Sequence, residues 1–480
     1  VEKTQVIRPA GPARAEGEVR SFRDPGGFVI RREGRVLRAL TAEGADTLKE
    51  FLRTGTAERA TAARKLVRSK PADADEFPDI ECEWLIEHDR IPFPTYPYEW
   101  PPEMLHAAGS LTLELARAAL QDGFGLKDAT PYNVLFRGTQ PVFVDVLSFE
   151  RRDPLDRTWM AYGQFVRTFL LPLLAAREFG LSPELIALSR RDGIEPETLY
   201  RLAGIFRRWS PGFLSLVTLP KLLSGRSNAE TYHPAKARSA EQARYILDGV
   251  LRSCERNLEK LRPVPVKSKW TDYVETKSLY SAEDLAQKEA FVSEALELAR
   301  PATVLDVGAN EGRFSLLAAK KGASVVAIDS DPAVIGKVWR AASEERLDVL
   351  PLVVDLARPT PAVGWRNQEC ESFLDRSRHR FDMVLLLAVV HHLTVTERVP
   401  LEDLLDLVWE TTREYALIEF VDSEDPMFRR IVRGREALYS HLTREEFEAA
   451  AETRFETVRS VRVGSLHRWL YLFRRRRAGI

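Results

Sequence analysis

Cysteine is scarce in this sequence. Its 480 residues hold three, Cys82, Cys254 and Cys370, far apart and odd in number, which fits neither a disulfide framework nor a zinc site. Long apolar runs are lacking too: the longest, Phe165 to Ala176, is interrupted by Arg167 and Pro172 and is too short to span a bilayer. No secretory-type apolar segment stands at the N-terminal end, and no internal repeat or low-complexity tract is evident. Charge of one sign is absent as well. With 70 Lys and Arg against 71 Asp and Glu, no global field would gather nucleic acid, which argues against a general DNA or RNA binder though not against a local basic patch. The eight histidines show no metal-ligand spacing. These absences point to a soluble cytoplasmic protein with no membrane partner and no metal, and they leave self-association into a homo-oligomer open. At this length two to three domains are expected, each able to bury its own core.

What is present is most specific between Thr303 and Asp331, TVLDVGANEGRFSLLAAKKGASVVAIDSD. Thr303 to Asp306 is a short apolar strand ending in a carboxylate, Gly308 and Gly312 open a loop, Phe314 to Lys321 has helical spacing, and Ser324 to Ile328 is β-branched and ends at Asp329. Strand, glycine loop, helix and strand make a nucleotide-binding half-unit, with the ligand expected beyond the carboxyl ends of the strands. The spacing is not the dinucleotide G-x-G-x-x-G. Asp306 precedes the first glycine by two residues and Asn310 stands where a second glycine would be. A carboxylate there would repel a diphosphate but suits a ligand carrying an ammonium group and a sulfonium. Asp329 is placed to accept hydrogen bonds from both hydroxyls of a ribose.

These residues resemble the class I S-adenosylmethionine-dependent methyltransferases, and the resemblance covers the last 210 residues or so. Val353, Val354 and Asp355 resemble the end of the family's third strand, where an acid reads the adenine amino group. Phe381 to Leu387 resembles the fourth strand, followed by Ala388, Val389, Val390, His391, His392 and Leu393 in the segment facing the substrate. Tyr415 to Phe420 resembles the fifth strand, and Phe455 to Val463 with Trp469 to Phe473 the closing antiparallel pair. The resemblance implies a Rossmann-like α/β sheet of seven strands with S-adenosyl-L-methionine as cofactor, held by Asp306, Gly308, Asn310, Gly312, Asp329 and Asp355. Tyr273 is a candidate lid.

The first half reads differently. Residues 1–20 are an expected extended arm. FVIRRE and RVLRAL around Gly34 read as a hairpin, and a helix from Ala42 to Leu52 follows, since Ala45, Leu48, Phe51 and Leu52 share one face. A helix from Pro102 to Asp122 leads into LKDATPYNVLFRGTQPVFVDVLSFE, Leu126 to Glu150. Here Asp128 and Asn133 lie five apart, and a hairpin ends at Asp145. That pattern is similar to the catalytic segment of protein kinases and aminoglycoside phosphotransferases, whose first Asp orients the acceptor while the Asn and last Asp hold magnesium. No G-x-G-x-x-G loop and no V-A-I-K strand precede it. Three readings follow: an active ATP-Mg phosphotransferase, a degenerate lobe retained for binding or scaffold, or a chance constellation of turn residues. Helices are expected over Trp159–Phe179, Pro183–Leu188, Glu197–Trp209 and Ala240–Leu261.

The expected layout is an arm at 1–20, an α+β, helix-rich, kinase-like region at 21–262, a proline-containing linker at 263–269 and a class I methyltransferase domain at 270–480. Methyl transfer to a neutral hydroxyl or amine requires removal of a proton, a task suited to histidine. His391 and His392 follow the fourth strand, and His391 is preferred slightly, although either could instead hydrogen-bond nearby backbone. Glu419, at the end of the fifth strand, is a second candidate, orienting a histidine, contacting substrate or capping a loop. The expected function is O-methylation of a small-molecule or glycan acceptor in bacterial specialised metabolism. The alternatives are a phosphotransferase with an appended methyltransferase domain, and an RNA methyltransferase.

Overall fold

The computed structural model describes residues 19–21, 23–224, 236–268 and 280–476. The chain divides into two compact units. One comprises residues through Tyr98, Pro102–Pro263 and Gly364–Glu369; the other comprises Glu99–Pro101, Val264–Val363 and the chain from Cys370 onward.

In the first unit a five-stranded antiparallel sheet runs in the order β1-β2-β3-β5-β4, from β1 (Val19–Arg20), β2 (Gly27–Arg32), β3 (Arg35–Leu40), β4 (Ser69–Pro71) and β5 (Trp84–His88). The β2–β3 hairpin turns at Gly34, held at φ +75°, as the sequence leads one to expect. Helix Ala42–Leu52 starts where Thr41 Oγ1 accepts from the Gly44 N–H. Helix Pro102–Gln121 precedes β6 (Phe124–Leu126), the hairpin of β7 (Val134–Arg137) and β8 (Gln140–Phe143), and β9 (Phe149–Arg151), which pairs with β6. Among the described residues helices then run from Tyr162 to Ser224 with short breaks, and a long one spans Ala240–Lys260. The single helix expected over 197–209 is in fact two, Pro196–Leu202 and Ile205–Arg208, because Gly204 between them is extended, at φ −66° and ψ 162°.

In the second unit the expected seven-stranded sheet is present. It comprises β10 (Thr303–Val307), β11 (Ser324–Asp329), β12 (Val349–Val353), β13 (Phe381–Leu386), β14 (Thr412–Val421), β15 (Phe455–Arg462) and β16 (Arg468–Arg475), ordered β12-β11-β10-β13-β14-β16-β15. The first five strands are mutually parallel and β16 is antiparallel to both its neighbours. Strand order therefore reverses between β10 and β13, which opens a crevice at their carboxyl ends. Alternation along the strands sets what meets there. Val304 of β10, Leu417 of β14 and Leu470 of β16 join one buried core with Phe291, Val292 and Ala295 of helix Ala282–Ala299. Two residues from each along its strand, Asp306, Glu419 and Arg468 come to the same face, at its crevice end.

At the opposite end of these strands, the Asp382 carboxylate accepts from the backbone N–H groups of Ala302 and Thr303 at 3.0 and 2.9 Å and from Thr303 Oγ1 at 3.0 Å. This ties the start of β10 to β13. Asp382→Ala would strand both amides and should lower stability by about 2–4 kcal/mol in denaturant unfolding. Because the contact is remote from the crevice, affinity for a crevice ligand should stay within about threefold of wild type.

Candidate functional site

A cavity of about 760 Å³ lies over the carboxyl ends of β10, β11, β12 and β13, within the size range of small-molecule and cofactor sites. Its floor is the loop after β10. Gly308 is held at φ +66°, and a Cβ there would come within 2.4 Å of Val389 Cγ2; Gly312, at φ +82°, would bring one within 2.9 Å of Val338 Cγ2. Only glycine suits either position. Asn310, at φ +48°, takes the left-handed conformation that asparagine tolerates, and its Oδ1 accepts from the Glu311 N–H at 2.7 Å.

Asp329 is aimed by the backbone. Its oxygens accept from the N–H groups of Asn310 and Asp331, each at 3.0 Å, which orients the carboxylate along the cavity wall. Burial pushes its pKa up to about 6 against the pull of those two donors. Asp306 also borders the cavity, although only 2% of it is exposed, and it accepts from Ser315 Oγ at 2.6 Å. Burial raises it to about 7, with the Ser315 hydrogen bond and then the Lys288 ammonium opposing. Asp355 follows β12 at the far wall, where Arg358 bridges it at 2.6 Å to Glu397 at 2.8 Å. Asp306, Gly308, Asn310, Gly312, Asp329 and Asp355 are thus gathered about one cavity or its floor. Tyr273 lies outside the described residues; Tyr280 and Phe314 are aromatics that border the cavity.

The two histidines diverge. His392 borders the cavity. His391 is 4% exposed, its Nδ1 has no hydrogen-bond partner among the described residues, and its imidazole is held neutral, well below the usual histidine range, chiefly by burial and then by His392, Arg468 and Lys288. A one-residue step around the turn carries one ring to the wall and the other inward. Just before them Ala388, also on the wall, is held at φ +61°, a left-handed conformation that outside glycine costs roughly 1–2 kcal/mol.

Glu419 is likewise not at the cavity surface. It is fully buried, accepts from Lys288 Nζ at 2.6 Å and from the Tyr280 hydroxyl, and has Arg468 Nη1 at 3.9 Å. Arg468 is in turn held by Asp425 at 2.8 Å. Glu419 therefore acts as the anchor for Lys288 and Tyr280, which do border the cavity, and the roles of substrate contact and loop cap considered for it do not fit this geometry. Lys288 was missed by sequence reasoning, yet a signal exists. It belongs to the buried stripe Lys288, Phe291, Val292, Ala295 and Leu296, a lysine at helical spacing on an otherwise apolar face.

In the first unit, Asp128, Asn133 and Asp145 also converge. Asn133 Nδ2 donates to Ser148 Oγ at 3.0 Å and to the Asp128 carbonyl at 3.3 Å, and Ser148 Oγ donates to Asp145 at 2.5 Å. Asp145 is also ion-paired at 2.9 Å with the buried Arg38 of β3. Among the described residues, a grouping with metal-compatible spacing is Asp422, Glu424 and His467, whose ligand atoms lie within 4.8 Å of one another. No spacing in the sequence suggests it. The Asp422 oxygens already accept from the backbone of Glu424 and Arg444 at 3.0 and 3.1 Å.

Two measurements probe this site. The pKa values of about 6 and about 7 place both cavity carboxyls partly protonated near neutrality. A ligand that needs them ionised should therefore bind more tightly as pH rises. S-adenosylhomocysteine affinity, read by calorimetry, should increase roughly a hundredfold between about pH 5.5 and 7.5 and flatten above that. In Asp329→Ala, affinity should fall by about 2–4 kcal/mol, roughly 30-fold or more. Lys288→Met leaves Glu419 buried without its nearest cation and should lower stability by about 3 kcal/mol in chemical unfolding.

Comparison with known proteins bears on this geometry. The profile of a methyltransferase domain family matches residues 280–459, the stretch that builds the cavity. The nodulation protein NoeA of Rhizobium meliloti strain 1021 is 30% identical over 477 residues, spanning 97% of this chain and 96% of its own. Among solved structures, the N-methyltransferase NodS of Bradyrhizobium japonicum WM9 is 14% identical over 41% of this chain and 98% of its own, with a TM-score of 0.31. The bifunctional kinase-methyltransferase WbdD is 19% identical over 44% of this chain and 43% of its own, also with a TM-score of 0.31. The cavity fits the cofactor of such a domain in volume, in the glycine floor that brings backbone close to a ligand, and in a carboxylate aimed by two amides. The chain belongs to the family of the nodulation protein NoeA and is an S-adenosylmethionine-dependent methyltransferase.

Proposed function

We propose that the enzyme methylates an oxygen atom of a small molecule or glycan, with His392 receiving the acceptor's proton. The observation that carries this is the divergence of the histidine pair: His392 borders the cavity, while His391 is buried. S-adenosylmethionine supplies a methyl group made electrophilic by its sulfonium. Asp329 would accept hydrogen bonds from the ribose and Asp355 from the adenine amino group. The loop from Gly308 to Gly312 lets the ligand approach backbone, and Asp306 beneath it contributes negative charge as it ionises. His392 would take up the proton that the acceptor hydroxyl loses, and His391 would back its ring, the two centroids being 4.3 Å apart. Positioning of the acceptor supplies much of the remaining rate.

The proposed compartment is the bacterial cytoplasm. Among the described residues no helix is long and apolar enough to cross a membrane. For the first half we propose a degenerate kinase-like lobe over 21–262, preceded by an arm at 1–20 and joined through 263–269 to the methyltransferase domain at 270–480. Support comes from Arg38, whose guanidinium engages the Asp145 carboxylate that a magnesium ion would otherwise need.

His392→Ala should lower the rate of methyl transfer from labelled S-adenosylmethionine to a hydroxyl-bearing acceptor by about 10²–10⁴-fold, with S-adenosylhomocysteine affinity unchanged. A rate equal to wild type would sink the assignment. Titration with ATP and magnesium should give no heat; binding that disappears in Asp145→Ala would overturn the degenerate-lobe reading.

A further inference from the structure

The first unit carries an apolar surface that the methyltransferase chemistry does not use. Phe206 is 95% exposed, Ile205 71% and Trp209 65%, and Leu202, Leu219 and Leu222 of the same segment are exposed as well. Such side chains are normal singly but not in a cluster of this size. They are not the loose edge of a missing core, because the same segment has its own: Leu199, Phe213, Leu216 and Val217 are buried beneath them. Its short helices are tied together. Thr218 Oγ1 donates to the Arg208 carbonyl at 2.7 Å, and the Tyr200 ring has Arg208 at 4.1 Å and Lys221 at 5.3 Å.

Charge distinguishes the kind of partner. Between Thr198 and Ser224 there is no Asp or Glu, while Arg201, Arg207, Arg208 and Lys221 are present, in a chain that is otherwise balanced at 70 cations to 71 anions. Arg207 reaches back to Glu178 at 3.5 Å, an acid contributed by a neighbouring helix. Cationic side chains interleaved with exposed Trp, Phe, Ile and Leu match a surface that is anionic above and apolar beneath. The longest helical run here, residues 211–224, is continuous through a π turn at Leu214–Thr218 and is too short to cross such a surface, although it could lie on it.

We infer that the face formed by residues 198–224 docks on the headgroup region of an anionic phospholipid bilayer, with Ile205, Phe206 and Trp209 entering it. The initial expectation of no membrane partner is thereby narrowed to no membrane-spanning helix. The occupant is chosen by charge complementarity. A second copy of this chain would bring the same cations against each other.

The full-length protein should co-float with vesicles of equimolar phosphatidylcholine and phosphatidylglycerol and bind vesicles of phosphatidylcholine alone at least about tenfold more weakly. Raising the salt concentration should weaken the anionic binding. The double substitution Phe206→Ser with Trp209→Ser should reduce it by about tenfold or more. Both side chains are exposed, so S-adenosylhomocysteine affinity should be unchanged and serves as the control for folding. Failure to bind anionic vesicles overturns the inference, as does binding that the double substitution leaves intact. A dimer in sedimentation velocity that the same substitution dissociates, without vesicle binding, assigns the face to self-association instead.

Discussion

A buried ion pair sits under the catalytic unit. Lys288 Nζ lies 2.6 Å from Glu419, with both side chains almost wholly removed from water. Ions in such a place are unfavourable unless each finds compensation, and each partner is compensated several times over. Glu419 also receives the Tyr280 hydroxyl and lies near Arg468, while Arg468 is neutralised by Asp425. The groups come from the segment before the first strand, from its helix, from the two neighbouring strands β14 and β16, and from the start of the helix after β14. Removing one member leaves the others desolvated. The network therefore fixes helix Ala282–Ala299 against the sheet at the height of the cavity.

That arrangement also tunes the cofactor side. Asp306 shares the sheet face of Glu419 and feels the Lys288 charge, yet burial dominates and brings its ionisation to about 7. Asp329, pulled down by two amides and pushed up by burial, arrives at about 6. The cavity thus keeps two acids that ionise within about a unit of neutrality. They become full charges when a cationic ligand supplies the stabilisation that water does not. His391 feels the cations of the same network, and together with burial they keep it neutral.

The two halves differ in how their chemistry is held. In the methyltransferase unit Asp329 is aimed by backbone donors and left facing a cavity. In the first unit the corresponding candidate Asp145 is closed by Arg38 and Ser148. The same residue types at motif spacing therefore end in different states, because the charge brought opposite them comes from a distant strand.

The sequence by itself determined the order of elements in the methyltransferase half, the glycine loop and the acids at its strand ends. Those depend on local properties: alternation along a strand, helical spacing, and the backbone conformations only glycine adopts. Gly308, Gly312, Asp329 and Asp355 were legible for that reason. What only tertiary structure decided were the pairings across the sheet and between units of sequence far apart. Lys288 and Glu419 are 131 residues apart, and Arg38 and Asp145 are brought together from different hairpins. Which of two adjacent histidines borders the cavity depends on how one turn packs after β13, and nothing in the order His391, His392 encodes that. The exposed face at Phe206 was hidden for the same reason, since an apolar run in sequence does not say whether the rest of the chain will cover it.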